Sequence, residues 1–292
     1  MIMIKQILTG IVIAGCIGVA NASSLKGTRF HDEANDTIKL NAILADAKAH
    51  AGNAKPEARI AYIGKQFLGT PYVAGTLDKG DDEAVTVNLD ELDCTTYVET
   101  VLALAYTIGE GRTSWRDFVY NLERIRYRGG EMNGYPSRLH YASEWVIDNV
   151  HRGIFKEATG SLPYNQPAVK TIDFMSENRD KYAALKDSAN YAGIKNMELG
   201  YRNHRFPYIK SNKTASKDLI RQLHSGDVVL ITTQIKGLDV QHMGILIIED
   251  NIPHLMHASS SAGAVVLEKT PLSEYLRKNR NASGIRIIRL AE

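Results

Sequence analysis

Cysteine is nearly absent from this chain. Its 292 residues hold two, Cys16 and Cys94. So few exclude a disulfide-dense scaffold and any multi-cysteine zinc or iron–sulfur site. An excess of charge of one sign is missing too. Thirty-five lysines and arginines against 33 aspartates and glutamates leave a net charge of +2, so no global field marks the chain for nucleic acid. No internal repeat and no low-complexity tract is present, and beyond residue 22 no apolar run is long enough to span a membrane. What remains is ordinary globular composition, 44% hydrophobic and 23% charged. A chain of this length makes one large domain or two small ones and can bury a sizeable core, which excludes disorder and fibres.

Residues 1–22 read as an address. Lys5 precedes an apolar run from Ile7 to Val19, which ends in Ala20-Asn21-Ala22 and then polar Ser23-Ser24. That is the pattern of a secretory signal peptide cleaved after Ala22, and it places the protein in the periplasm or outside a bacterial cell. A competing pattern, Ile13-Ala14-Gly15-Cys16, resembles a lipobox that would anchor the chain through a lipid on Cys16; apolar Ile17 and Val19 argue against it. Cleavage leaves Cys94 as a lone thiol in an oxidising compartment, where it is either a buried hydrophobe or a reactive group.

Residues 23–292 read as one domain. The spacing predicts helices over 36–51, from Pro56 to Gly69, from Asp93 to Gly109, and over 114–127 and 140–150. Asp78 to Asp90 is polar and acidic and reads as an exposed loop. Residues 158–212, with three prolines, read as a partly helical insertion. After a short helix bearing Leu219, Ile220 and Leu223 comes the turn Ser225-Gly226-Asp227. Strands follow at Val228–Thr233, His242–Ile248, Leu255–Ala258, Ala264–Glu268 and Ile285–Leu290. Short β-branched runs with turn-sized connections predict an antiparallel sheet, and helices followed by strands predict an α+β fold.

Asp93 is a good N-cap, which puts Cys94 at the first helical position. There the helix dipole lowers a thiol's pKa, and free first-turn N–H groups can hold an oxyanion. The Asp93 carboxylate opposes this unless it points toward the backbone or a substrate. A thiol nucleophile needs a base. His242 stands on a predicted strand with Gly244 on its face, where backbone or substrate could approach closely, and His257 ends the next strand, able to orient His242.

These residues stand in a recognisable order. Leu68-Gly69-Thr70-Pro71-Tyr72, then Leu92-Asp93-Cys94-Thr95-Thr96-Tyr97-Val98, resemble the front half of an NlpC/P60 cell-wall hydrolase. Ser225-Gly226-Asp227-Val228-Val229, Gln241-His242-Met243-Gly244-Ile245 and Met256-His257-Ala258-Ser259 resemble its back half. The cysteine block, the long helical middle and Ser137-Arg138-Leu139-His140-Tyr141 are similar to the N-acetylmuramoyl-L-alanine amidase-like branch, DUF1460. The resemblance implies a papain-like α+β fold with Cys94 as nucleophile, His242 as base and His257 as the third polar residue. It further implies peptidoglycan or its muropeptide fragments as substrate, with Tyr72 and Asp93 helping to bind the peptide stem, and no metal or organic cofactor. Thr95 stands where the wider family has serine. Arg138 and His140, in the branch-specific block, are candidates for the substrate cleft, Arg138 as a grip on a carboxylate.

The branch favours cleavage of the N-acetylmuramoyl–L-alanine amide, the wider family cleavage of the γ-D-glutamyl–diamino-acid bond. A thiol acyltransferase would use the same residues. A catalytically silent muropeptide-binding protein is the rival of another class, and the joint presence of Cys94, His242 and His257 argues against it. Arg124, Arg126 and Arg128 read as a solvated basic face. The run Tyr201-Arg202-Asn203-His204-Arg205 could add charge to the cleft. A zinc site on His254 and His257 is disfavoured, because a separation of three on a strand puts them on opposite faces.

Overall fold

A computed structural model describes residues 27–80 and 82–291. Residues 1–26, on which the expected signal peptide and Cys16 fall, lie outside the described residues. In chain order the elements are β1 (Thr28–Phe30), α1 (Glu33–Ala51), α2 (Pro56–Lys65), β2 (Val85–Val87), α3 (Cys94–Gly109), α4 (Trp115–Arg126) and α5 (Ala142–His151). Then come β3 (Phe155–Glu157), β4 (Asn165–Lys170), α6 (Phe174–Glu177), α7 (Ser188–Leu199), β5 (His204–Lys210) and α8 (Lys217–Ile220). The chain finishes with β6 (Val228–Thr233), β7 (Val240–Glu249), β8 (Ile252–Ser259), β9 (Ala264–Leu267), α9 (Leu272–Lys278) and β10 (Ala282–Leu290).

The fold is α+β. Its main sheet runs β4-β5-β10-β6-β7-β8-β9, with β3 also on β10, and every pair in it is antiparallel. Because side chains alternate along a strand, the sheet has two apolar faces. One buries Val228, Leu230, Met243, Ile245 and Met256 against α2 to α5. The other buries Val229, Ile231, Leu246, Leu255, Ile285 and Ile287 under α8 and α9. A sheet covered on both sides explains why β6 is buried at all six positions.

Helix α3 is the axis of the helical layer. From Thr96 on nearly every residue is buried, and it packs on α2, α4, β7 and β8. A helix apolar on most of its circumference belongs inside. Val98, Val101 and Leu102 are fully inaccessible, and each such side chain stabilises by about 1.5–3 kcal/mol. Arg59 on α2 ties three helices together, donating to the carbonyls of Ala51, Ala54 and Ala105. The turn before β6 requires its glycine. Gly226 has φ +100°, and a Cβ there would sit 1.8 Å from the Glu57 carbonyl oxygen. Asp227, fully buried beside it, accepts from Nε and Nη2 of Arg289.

Three expectations are corrected. The acidic stretch 78–90 is no exposed loop throughout: Val85, Val87 and Leu89 are buried, and β2 pairs in parallel with β1. Segment 158–212 contributes two strands as well as α6 and α7, and β5 joins the main sheet beside β10. Its apolar residues Ile172, Met175, Leu185 and Ile194 form a small core with Tyr135 and Tyr141. The arginine cluster is no solvated face. Arg126 is buried and bonds Glu99 at 2.6 Å and the Thr86 carbonyl at 2.7 Å, Arg128 pairs with Glu144, and Arg124 with Glu110.

Candidate active site

The nucleophile candidate is positioned by a helix start. Asp93 has extended backbone, and its Oδ1 accepts from the amides of Thr95 and Thr96 at 3.0 and 2.8 Å. The Thr96 hydroxyl returns a bond from the Asp93 amide, completing a capping box. This fixes Cys94 as the first helical residue, partly exposed at the wall of a cleft. It also commits the Thr95 and Thr96 amides, so the first turn is not as open to an oxyanion as the sequence suggests. The amide of Cys94 itself and that of Met243 point at the sulfur.

Strand β7 brings the opposite wall. Its pairing with β6 shifts register between Ile231 and Thr232, opposite His242 and Val240, so the strand bends where His242 enters the cleft. Val240, Gln241, His242 and Met243 face Cys94, Thr95, Leu139, His140, Ala142 and Trp145 across a slot of about 90 Å³. Sγ has the Thr95 hydroxyl at 4.0 Å. Among the described residues no hydrogen bond joins Sγ to the His242 ring, which is usual for a site without substrate.

Behind His242 lies a relay. Its Nε2 is 2.6 Å from Nδ1 of His257, whose ring is buried and meets the His242 ring edge-on. His257 Nε2 is in turn 3.1 Å from Oε1 of Glu268. Since Nε2 of His242 is occupied, Nδ1 is the nitrogen left to take a proton. Gly244 makes the relay possible. A Cβ there would lie 2.8 Å from the Met256 carbonyl oxygen and 2.9 Å from His257 Cβ, so what approaches closely is strand β8.

The electrostatics reverse one expectation. Burial, and then the Asp93 carboxylate, push the Cys94 thiol up to about 11; the Met243 amide, the Thr95 hydroxyl and its own amide pull the other way without prevailing. Burial and neighbouring His257 push His242 down to about 3. At neutral pH the pair therefore rests as thiol and neutral imidazole, not as the ion pair that a helix dipole alone would favour.

A second cavity, of about 230 Å³, shares Thr95, Leu139 and His140 with the slot. Asp93, Tyr135, Arg138 and Tyr141 line it too. Arg138 is buried, pairs with Asp78 and Glu83, and lies over the Tyr135 ring. Its guanidinium therefore already has carboxylate partners. His140 Nε2 donates to the Tyr135 carbonyl at 2.9 Å, and burial, then neighbouring Arg138, push the imidazole down to about 3, so the neutral ring carries its hydrogen on Nε2. Tyr72 packs on the same core cluster as Cys94, and its phenol is raised by burial, then by Cys94 and Asp93 nearby. The structure thus gathers Cys94, His242, His257, Asp93, Thr95, Tyr72, Arg138 and His140 into one region. Residues 201–205 line neither cavity. His254 turns away from His257 to the Glu268 carbonyl.

Glu268 is the residue that sequence reasoning missed. A usable signal existed. In an antiparallel pair that sets Val266 opposite His257, position 268 is the diagonal neighbour on the same face.

The model of the family described as N-acetylmuramoyl-L-alanine amidase-like (AmiA-like) matches residues 62–285. An N-acetylmuramoyl-L-alanine amidase structure from Bacteroides uniformis is 36% identical, covering 81% of this chain and 99% of that one with a TM-score of 0.77. A Bacteroides fragilis structure, described provisionally as a xylanase, is 39% identical over 78% of this chain and 98% of that one, TM-score 0.73. A Legionella pneumophila protein of the DUF1460 family shares the fold at 24% identity, covering 89% of this chain and 97% of that one, TM-score 0.68. No curated protein matches the chain.

Proposed function

The chain belongs to the N-acetylmuramoyl-L-alanine amidase-like family, and from that premise we propose that it is an exported cysteine amidohydrolase of peptidoglycan or muropeptides. Within that reading the fold is a papain-like NlpC/P60 domain spanning 23–292, delivered by residues 1–22 to the periplasm or the medium. Its preferred bond is the amide between the muramoyl lactyl group and L-alanine. The observation that carries the proposal is the slot in which Cys94, at a helix start, faces His242 with its Nε2 engaged by His257. The slot's lining offers a thiol and imidazoles but no carboxylate, whereas glycoside hydrolysis needs a carboxylate pair.

Because thiol and imidazole both rest neutral, proton transfer accompanies attack. Nδ1 of His242 takes the thiol proton as sulfur bonds the amide carbon, and the amide of Cys94 faces the developing oxyanion. The tetrahedral intermediate collapses, the C–N bond breaks, and His242 returns its proton to the leaving amine. Water then adds to the thioester carbon with His242 as base, and the C–S bond breaks to regenerate the thiol. Asp93, Tyr72, Thr95, Arg138 and His140 shape where the peptide stem lies.

The test is product analysis. Mature protein is incubated with defined muropeptides and the products are weighed by mass spectrometry. A free intact stem peptide supports the amidase. A dipeptide-bearing sugar rejects that bond in favour of the γ-D-glutamyl endopeptidase, and binding without cleavage rejects hydrolysis altogether.

A further inference from the structure

The sequence motifs end at His257, yet the hydrogen-bonded chain does not. His257 is 1% exposed and has two ring nitrogens to satisfy. One meets His242 at 2.6 Å and the other the Glu268 carboxylate at 3.1 Å. Glu268 is held as firmly as a strand residue. Its amide donates to the Leu255 carbonyl at 2.8 Å, and its carbonyl engages His254 at 2.9 Å. Its backbone is thus fastened to β8 at His254 and Leu255, just ahead of His257, while its side chain stays about three-quarters covered, 23% exposed.

Chemistry then fixes the direction of every hydrogen. A carboxylate only accepts, so His257 must carry its hydrogen on Nε2. Burial lowers the His257 pKa from its ordinary value, so near neutral pH the ring is neutral, its Nδ1 is bare and it must accept from His242, which places the His242 hydrogen on Nε2. Nδ1 of His242, the ring nitrogen that His257 does not engage, is left with a free lone pair. Reverse the first bond and the whole chain reverses. His242 would then present an N–H to the sulfur and could not take its proton. Two imidazoles alone have no preference between these arrangements; the carboxylate supplies it.

We propose that Glu268 is a positioning residue that sets the tautomers of the His257–His242 relay, and so makes His242 a base toward Cys94. The proposal rests on the thiol-hydrolase reading above for its catalytic consequence, but not for its structural content. The titratable groups facing the relay are Cys94 on α3, Tyr275 on α9 and the two imidazoles themselves. Tyr275 stacks edge-on to His257 at 5.5 Å between ring centres and can neither receive nor replace the Nε2 hydrogen through its ring.

The experiment uses full-length mature protein with 15N-labelled histidine. In the unaltered protein, imidazole nitrogen shifts near neutral pH should show His257 protonated on Nε2 and His242 on Nε2. A His257 hydrogen on Nδ1 overturns the proposal without any variant. Glu268→Met keeps length and removes the acceptor. It should convert the single tautomer pattern to a mixture and lower kcat on a cleaved muropeptide by roughly 10²-fold, the scale of a lost general base, with KM within about twofold. Glu268→Asp should restore both signals in part. An unchanged nitrogen pattern in Glu268→Met overturns the proposal. A changed pattern in a protein that cleaves no muropeptide upholds it and rejects the hydrolase reading instead.

Discussion

Replacing Asp93 by asparagine separates its two jobs. As a cap it accepts from two amides and the Thr96 hydroxyl through Oδ1, and an asparagine oxygen can do the same, since Asn and Asp cap about equally well. As a charge it is the second cause, after burial, that raises the Cys94 thiol to about 11. Charges on neighbouring side chains at roughly 6 Å and an effective dielectric of about 20 interact by about 2.8 kcal/mol, or about two pKa units. Water in the open cleft screens part of this, leaving about one unit. Removing a negative charge favours the thiolate, so the shift is downward. Asp93→Asn should therefore bring the alkylation midpoint to about 10 and raise the iodoacetamide rate at pH 8 about tenfold. The loss of a favourable charge at a helix start costs about 0.3–1 kcal/mol, so melting should fall by no more than about 4 °C. Asp93→Ala, which also loses the cap, should cost a further ~1 kcal/mol. The assay follows alkylation of Cys94 by intact mass from pH 6 to 11. A profile that stays put or moves upward in Asp93→Asn would refute the reasoning.

Two further perturbations probe the frame around the site. Arg126→Met strands Glu99 without its buried partner, and urea unfolding should show a loss of about 3–5 kcal/mol; a loss below about 1 kcal/mol would mean that the pair is solvated. Gly244→Ala drives a Cβ against the Met256 carbonyl and His257, which should cost about 1–3 kcal/mol of stability and cut turnover by an order of magnitude or more through the displaced relay. Turnover equal to that of the parent would show that His257 need not hold its place.

Much of this was legible in the residues. Asp93 before an apolar-periodic run announced the start of α3, and glycine at 109 its end. The strands carrying His242 and His257 were readable because β-branched runs alternate with compact turns. Other features were hidden for physical reasons. β4, Asn165–Lys170, is a polar edge strand with a proline, and nothing in its composition competes with a loop reading. β2 is three residues long inside an acidic stretch. Arg126 looked like surface because arginine usually is, although it continues the Phe118, Leu122, Ile125 stripe that faces the core. The direction of the Cys94 shift was missed because the helix dipole is local and visible in sequence, whereas burial is a property of the finished fold.

The central claim is that Cys94 carries the acyl group in turnover. Rapid acid quench of the mature enzyme with a defined N-acetylmuramoyl-peptide, followed by intact mass and peptide mapping, tests it directly. The account predicts a thioester on the peptide containing Cys94, with the mass of the muramoyl sugar, and no adduct in Cys94→Ala. Undiminished cleavage by Cys94→Ala, with no adduct on the parent enzyme, would contradict it.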